Sequence, residues 1–132
     1  MTKEIDSLDQ SLALKVLIVD DDSSLLRLIA AILRMGGYLP LSAQGGAEGL
    51  AFLDESPQPD LVILDLQMPE IDGRTFYRRA RLMGYPGPVL LCSAYGAESA
   101  RRELGATAAI AKPFDPDDLL SCVATLVPAR GS

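Results

Sequence analysis

At 132 residues the chain is long enough to bury one hydrophobic core and short for two. Apolar residues at 48% and charged residues at 23% exclude a disordered chain, and a formal charge of −6 argues against direct nucleic-acid binding. Histidine is absent, which rules out imidazole base catalysis, histidine metal sites and a phosphohistidine donor role, while the acidic start and the lack of a span-length apolar run point to a cytoplasmic protein that does not enter a membrane.

Residues 1–14 stand outside any periodic pattern; Ile5, Leu8 and Leu12 can line one side of a short helix, but a flexible extension is expected. Val16 to Val19 forms an apolar run. After Asp20, Asp21 and Asp22, Leu25, Leu26, Leu28, Ile29, Ile32 and Leu33 follow at helical spacing, so the reading is strand then helix, closed by Gly36 and Gly37. Tyr38 to Ser42 is a second strand and Ala47 to Leu53 a second helix. Leu61 to Leu64 is the clearest strand, ending at Asp65, and a helix with Phe76, Ala80 and Met83 on one face follows the turn at Pro69 and Gly73. Val89 to Cys92, Ala97 to Leu104, Ala108 to Ala111 and Asp117 to Leu126 complete five strand–helix units. Such alternation, with strands expected to be buried on both faces, predicts an α/β fold of three layers, doubly wound on a parallel sheet. The domain is expected over residues 15–127, with 128–132 as a tail. Cys92 and Cys122 lie in apolar segments without ligand spacing and are expected reduced and buried. Arg78, Arg79, Arg81, Arg101 and Arg102 read as solvated helix faces in preference to a patch for an acidic partner.

Ligands of open parallel sheets bind beyond the C-terminal strand ends. Those ends carry Asp20 and Asp21, Asp65, Ser93 and Lys112. Three carboxylates forced together repel unless a cation joins them, and a divalent ion plus Lys112 brings the sum to zero. Oxygen ligands alone select a hard ion such as Mg2+, which also recruits phosphate oxygens. Asp65 is then a nucleophile that forms an aspartyl phosphate, with Lys112 on the equatorial oxygens and Ser93 reporting occupancy. Asp21, Asp65 and the backbone carbonyl of Gln67 are the expected direct metal ligands, and Asp20 acts through water. Taken singly these residues are ordinary caps and surface charges, and Asp22 is read as a cap. Their convergence at four strand ends is the specific signal.

The segments KVLIVDDDSS, PDLVILDLQMPEIDG, PVLLCSA and AIAKPFDP resemble the receiver domain of bacterial response regulators, of the chemotaxis type, across about residues 15–127. The resemblance implies a flavodoxin-like fold with a five-stranded sheet of order 2-1-3-4-5 and five helices. It also implies phosphorylation of Asp65 by a histidine kinase or histidine phosphotransfer protein, dependence on Mg2+, and an unnamed output partner. In it Asp20 and Asp21 form the acidic pair, Ser93 is the switch hydroxyl, Lys112 precedes a proline that is usually cis, and Gln67 and Tyr95 tune phosphate lifetime. Two departures touch the usual output face: Ala109 replaces an aromatic residue, and the short spacing from Ser93 to Lys112 truncates the fourth helix. Tyr95 is expected to take over part of the switching role.

Such a chain is no enzyme beyond catalysing its own phosphorylation and dephosphorylation. A haloacid dehalogenase type phosphohydrolase would need an aspartate at position 67, where this chain has Gln67, and a flavodoxin-type flavin site would not place three aspartates where phosphate binds. The alternative within the family is an interaction module that ignores phosphorylation. Whether the chain is a stand-alone receiver or a piece of a larger kinase or regulator, and whether it forms a homodimer, stays open.

Overall fold

The structure, a computed structural model, describes residues 13–128; what the sequence suggested for residues 1–12 and 129–132 lies outside them. In chain order the elements are β1 (Lys15–Val19), α1 (Ser23–Met35), β2 (Leu39–Ala43), α2 (Gly46–Leu53), β3 (Leu61–Asp65), α3 (Gly73–Leu82), β4 (Val89–Ser93), α4 (Ala97–Leu104), β5 (Ala108–Ala111) and α5 (Pro116–Leu126). All five strands run parallel in the order β2-β1-β3-β4-β5, the flavodoxin-like arrangement. Strand order reverses between β1 and β3, so their C-terminal ends open a crevice.

Each central strand sends alternate side chains to opposite layers, as a pleated strand must. Val16 and Ile18 of β1, with Leu61 and Ile63 of β3, pack among Ile29, Leu33, Leu119 and Val123 of α1 and α5. Leu17, Val19, Val62 and Leu64 pack on the other face against Leu53, Phe76, Ala80 and Ala100 of α2, α3 and α4. Asp22 caps α1, its carboxylate accepting from the amides of Ser24 and Leu25, and Asp72 caps α3 through Thr75. Gly36 ends α1, and Gly37 follows at φ 89°.

Four expectations need correcting. Burial on both faces holds for β1, β3 and β4 but not for the edge strands β2 and β5, which are half-buried because each has a neighbour on one side only. Met83 does not join Phe76 and Ala80 in the core; it is the C-cap of α3 and 41% exposed, since the helix stops before its face is completed. Cys122 is half-buried on α5, whereas Cys92 is buried in β4. Arg81 is not a solvated residue: it is half-buried, donates to the carbonyls of Tyr85 and Gly87 at 2.8 Å each, and lies over the Tyr77 ring at 5.0 Å.

Candidate functional site at the strand ends

Among the described residues the buried polar or charged side chains are Asp20, Asp65 and Ser93, and all three stand on the same rim. Asp20 follows β1, Asp65 ends β3, Ser93 ends β4 and Lys112 follows β5, whose register is fixed by the Lys112 amide donating to the Ser93 carbonyl at 2.9 Å. The sheet order therefore sets the residues side by side, although Asp20 and Lys112 are 92 positions apart. Carboxylate oxygens of Asp20, Asp21 and Asp65 lie within 4.8 Å of one another. The Lys112 ammonium donates to Asp20 Oδ2 at 3.1 Å and to Asp65 Oδ1 at 3.2 Å. Three carboxylates and one ammonium leave two formal negative charges, which suits one divalent cation bound through oxygen. The group can hold a metal.

Burial raises the Asp65 carboxyl above its ordinary range, the Asp20 charge raises it further, and Lys112 with the Gln67 amide opposes them. Burial alone would lower Lys112, but its bond to Asp20 and the charges of Asp20 and Asp65 prevail and raise it. Lys112 is thus a fixed cation. Asp65 Oδ1 accepts from Lys112 and, at 3.4 Å, from the Gln67 amide, while Oδ2 has no protein hydrogen bond among the described residues. One oxygen of the most central carboxylate is left free to react.

The backbone behind Asp65 is tightly packed. Gly73 opens α3 with its amide donating to the Leu66 carbonyl at 3.0 Å, and a Cβ there would meet the Asp65 carbonyl oxygen at 2.5 Å. Glu70, in the turn between them, has φ 67°, and the Lys112–Pro113 bond is cis.

Ser93 is 1% exposed and its hydroxyl does not face bulk water. It lies 2.5 Å from Gln67 Oε1 and 2.8 Å from the Tyr95 carbonyl, and accepts from the Tyr95 amide at 3.2 Å. A hydroxyl has one proton, so Gln67 and Tyr95 compete for it. The sequence marked Gln67 through its backbone carbonyl and as a position that tunes phosphate lifetime, but not the bond from Ser93 to its side chain. Tyr95 is 80% exposed, while Tyr38, Tyr77 and Tyr85 are buried. Where an aromatic residue was expected, Ala109 helps line a groove of about 410 Å³ with Ser93, Ala97 and Ala111. Cys92, whose thiol burial pushes up to about 12, sits beneath the rim as an inert packing residue.

Comparison with known proteins agrees with this geometry. The family model for the response regulator receiver domain matches residues 16–124. Sporulation initiation phosphotransferase F of Bacillus subtilis is 32% identical over 123 residues, covering 89% of this chain and 97% of that protein. Transcriptional regulatory protein PrrA of Mycobacterium tuberculosis is 36% identical over 121 residues, covering 89% of this chain; the chain spans about half (52%) of the length of that relative. The chemotaxis response regulator CheY4 of Vibrio cholerae superposes with a TM-score of 0.80 at 28% identity, covering 87% of this chain and 99% of that one. A response regulator from Chloroflexus aurantiacus, 34% identical, gives 0.77 over 86% and 97%. With a family model spanning nearly all the described residues and receiver structures that superpose over most of the chain, the chain belongs to the response regulator receiver domains of two-component systems.

Proposed function

We propose that the chain is a phosphoacceptor switch that takes a phosphoryl group onto Asp65 from a histidine kinase or histidine phosphotransfer protein, with Mg2+ as cofactor. The observation that carries this reading is a buried carboxylate with one unbonded oxygen beside a fixed ammonium and two further carboxylates. Bound Mg2+ would be held by Asp21, Asp65 and the Gln67 carbonyl, with Asp20 acting through water, and would supply charge neutralisation for the phosphoryl oxygens. In the transfer, Asp65 Oδ2 forms the new O–P bond as the partner's N–P bond breaks, and the bonding electrons leave with the imidazole. Lys112 keeps its proton and offsets charge on the equatorial oxygens.

Ser93 provides the readout. A phosphoryl oxygen on Asp65 takes the single Ser93 proton, freeing Gln67 and the Tyr95 carbonyl, so the loop beside the Ala109 groove changes partners. That loop carries the exposed Tyr95 ring, so Tyr95→Ala, which keeps the backbone partners of Ser93 but removes the ring, should weaken phosphate-dependent partner binding while leaving phosphorylation of Asp65 intact; undiminished dependence would refute that role. The chain acts in the cytoplasm, catalyses only its own phosphorylation and dephosphorylation, and signals to an output protein or domain.

Incubation with Mg2+ and acetyl phosphate followed by intact mass measurement tests the core of the reading. One phosphoryl adduct on wild type and none on Asp65→Ala is expected. No adduct on a protein with native circular dichroism would overturn it in favour of an interaction module that ignores phosphorylation.

A further inference from the structure

Helices α3 and α4 carry Arg74, Arg78, Arg79, Arg81, Arg101 and Arg102, half of the chain's twelve Lys and Arg residues, with only Glu98 and Glu103 among them. This face has a local formal charge of +4 on a chain whose total is −6. Arg81 is used internally, as described above. Arg74 and Arg78 share one carboxylate, Glu103, at 3.2 Å from each, and Arg101 pairs with Glu98. Arg79 and Arg102 have no ion-pair partner among the described residues. Exposed pairs of this kind contribute little to stability, so folding does not explain the cluster.

Between the two helices runs a trench of about 480 Å³, lined by Tyr77, Arg78, Arg81, Leu82, Glu103 and Leu104. Leu82 at its end is 87% exposed and Met83 beside it 41% exposed. An apolar ridge flanked by guanidinium groups with spare donors matches a segment that combines an apolar anchor with carboxylates.

We infer that the α3–α4 face is a docking surface for an acidic amphipathic helix of a partner protein, whose apolar stripe covers Leu82 and Leu104 and whose carboxylates pair with Arg78, Arg79 and Arg102. Two parallel ridges with a trench between them suit the helix-in-groove mode. Because the rest of the surface is acidic, such a segment is repelled elsewhere and steered here. Nucleic acid fits less well, since the overall charge opposes it and the trench is partly apolar. The inference does not depend on Asp65 chemistry.

Amide shifts of 15N-labelled protein would be followed on titration with a synthetic helix about 18 residues long, about five turns, bearing a leucine stripe and glutamates, and with its glutamine counterpart. Shifts confined to α3 and α4 are expected. Binding should weaken about tenfold for the glutamine peptide and for the double variant Arg78→Glu with Arg102→Glu, but stay unchanged for Arg34→Glu on α1. Circular dichroism would confirm that each variant is folded. Three results would each overturn the inference: no shifts, shifts centred on other elements, or equal binding of the glutamine peptide. Tighter displacement of the same amides by a DNA duplex would reassign the face to nucleic acid.

Discussion

Lys112→Met removes the one ammonium of the cluster while keeping the side chain's reach. Losing one partner of a fully buried pair costs about 3–5 kcal/mol. The Lys112 side chain is 21% exposed, so water reaches the remaining carboxylates and about 2 kcal/mol is a fairer expectation. For a chain of this size that lowers the melting temperature by roughly 6–10 °C in EDTA. Mg2+ acts in the opposite direction. A cation at about ten times its dissociation constant adds about 1.4 kcal/mol to wild type. Removal of Lys112 takes the cluster from two net negative charges to three, so the variant's gain at the same concentration is larger. Urea melts followed by far-ultraviolet circular dichroism, in EDTA and in saturating Mg2+, measure both terms; acetyl phosphate labelling should fall at least tenfold. A variant whose stability in EDTA matches wild type, or whose Mg2+ gain is no larger, would show that Lys112 does not neutralise this cluster.

Three other outcomes follow from the same packing. The folded chain binds a proton at Asp65 more readily than the unfolded chain does, so metal-free stability from this group falls as pH rises from 3.8 through the raised value; in EDTA, Asp65→Asn should be more stable than wild type at neutral pH, the difference closing in acid urea melts. Gly73→Ala places a Cβ 2.5 Å from the Asp65 carbonyl oxygen and 2.6 Å from Leu66 Cα, which should cost about 1–3 kcal/mol by urea melts and slow labelling of Asp65. Arg81→Met loses two charge-assisted bonds and its contact with Tyr77, and should lose about 2 kcal/mol while accepting phosphate at the wild-type rate.

Strand ends were legible because buried parallel strands write unbroken apolar runs, and the residue that breaks the run, such as Asp65 after Leu61 to Leu64, marks the rim. Asp22 was legible as a cap from its place before a periodic segment. What stayed hidden depends on contacts between distant segments. Arg81 looks like its neighbours Arg78 and Arg79 until the loop carrying Tyr85 and Gly87 folds back onto it. The Gln67 bond to Ser93 spans 26 positions and needs β3 and β4 paired. Ala108 to Ala111 reads as a buried strand, and only the sheet order reveals it as an edge.

Lys112 directly follows β5, the last strand of this sheet in chain order, and its neighbour β4 supplies Ser93. A chain emerging from the ribosome can complete β1 and β3 yet cannot complete the rim until β5 has docked. If Asp65 accepts phosphate as proposed, molecules in which β5 has not docked should be poor acceptors, because the ammonium joins the carboxylates last. Under the proposed function, competence to receive a signal then doubles as a check that this domain has folded as far as β5, so incompletely folded copies would not divert the donor's phosphoryl groups.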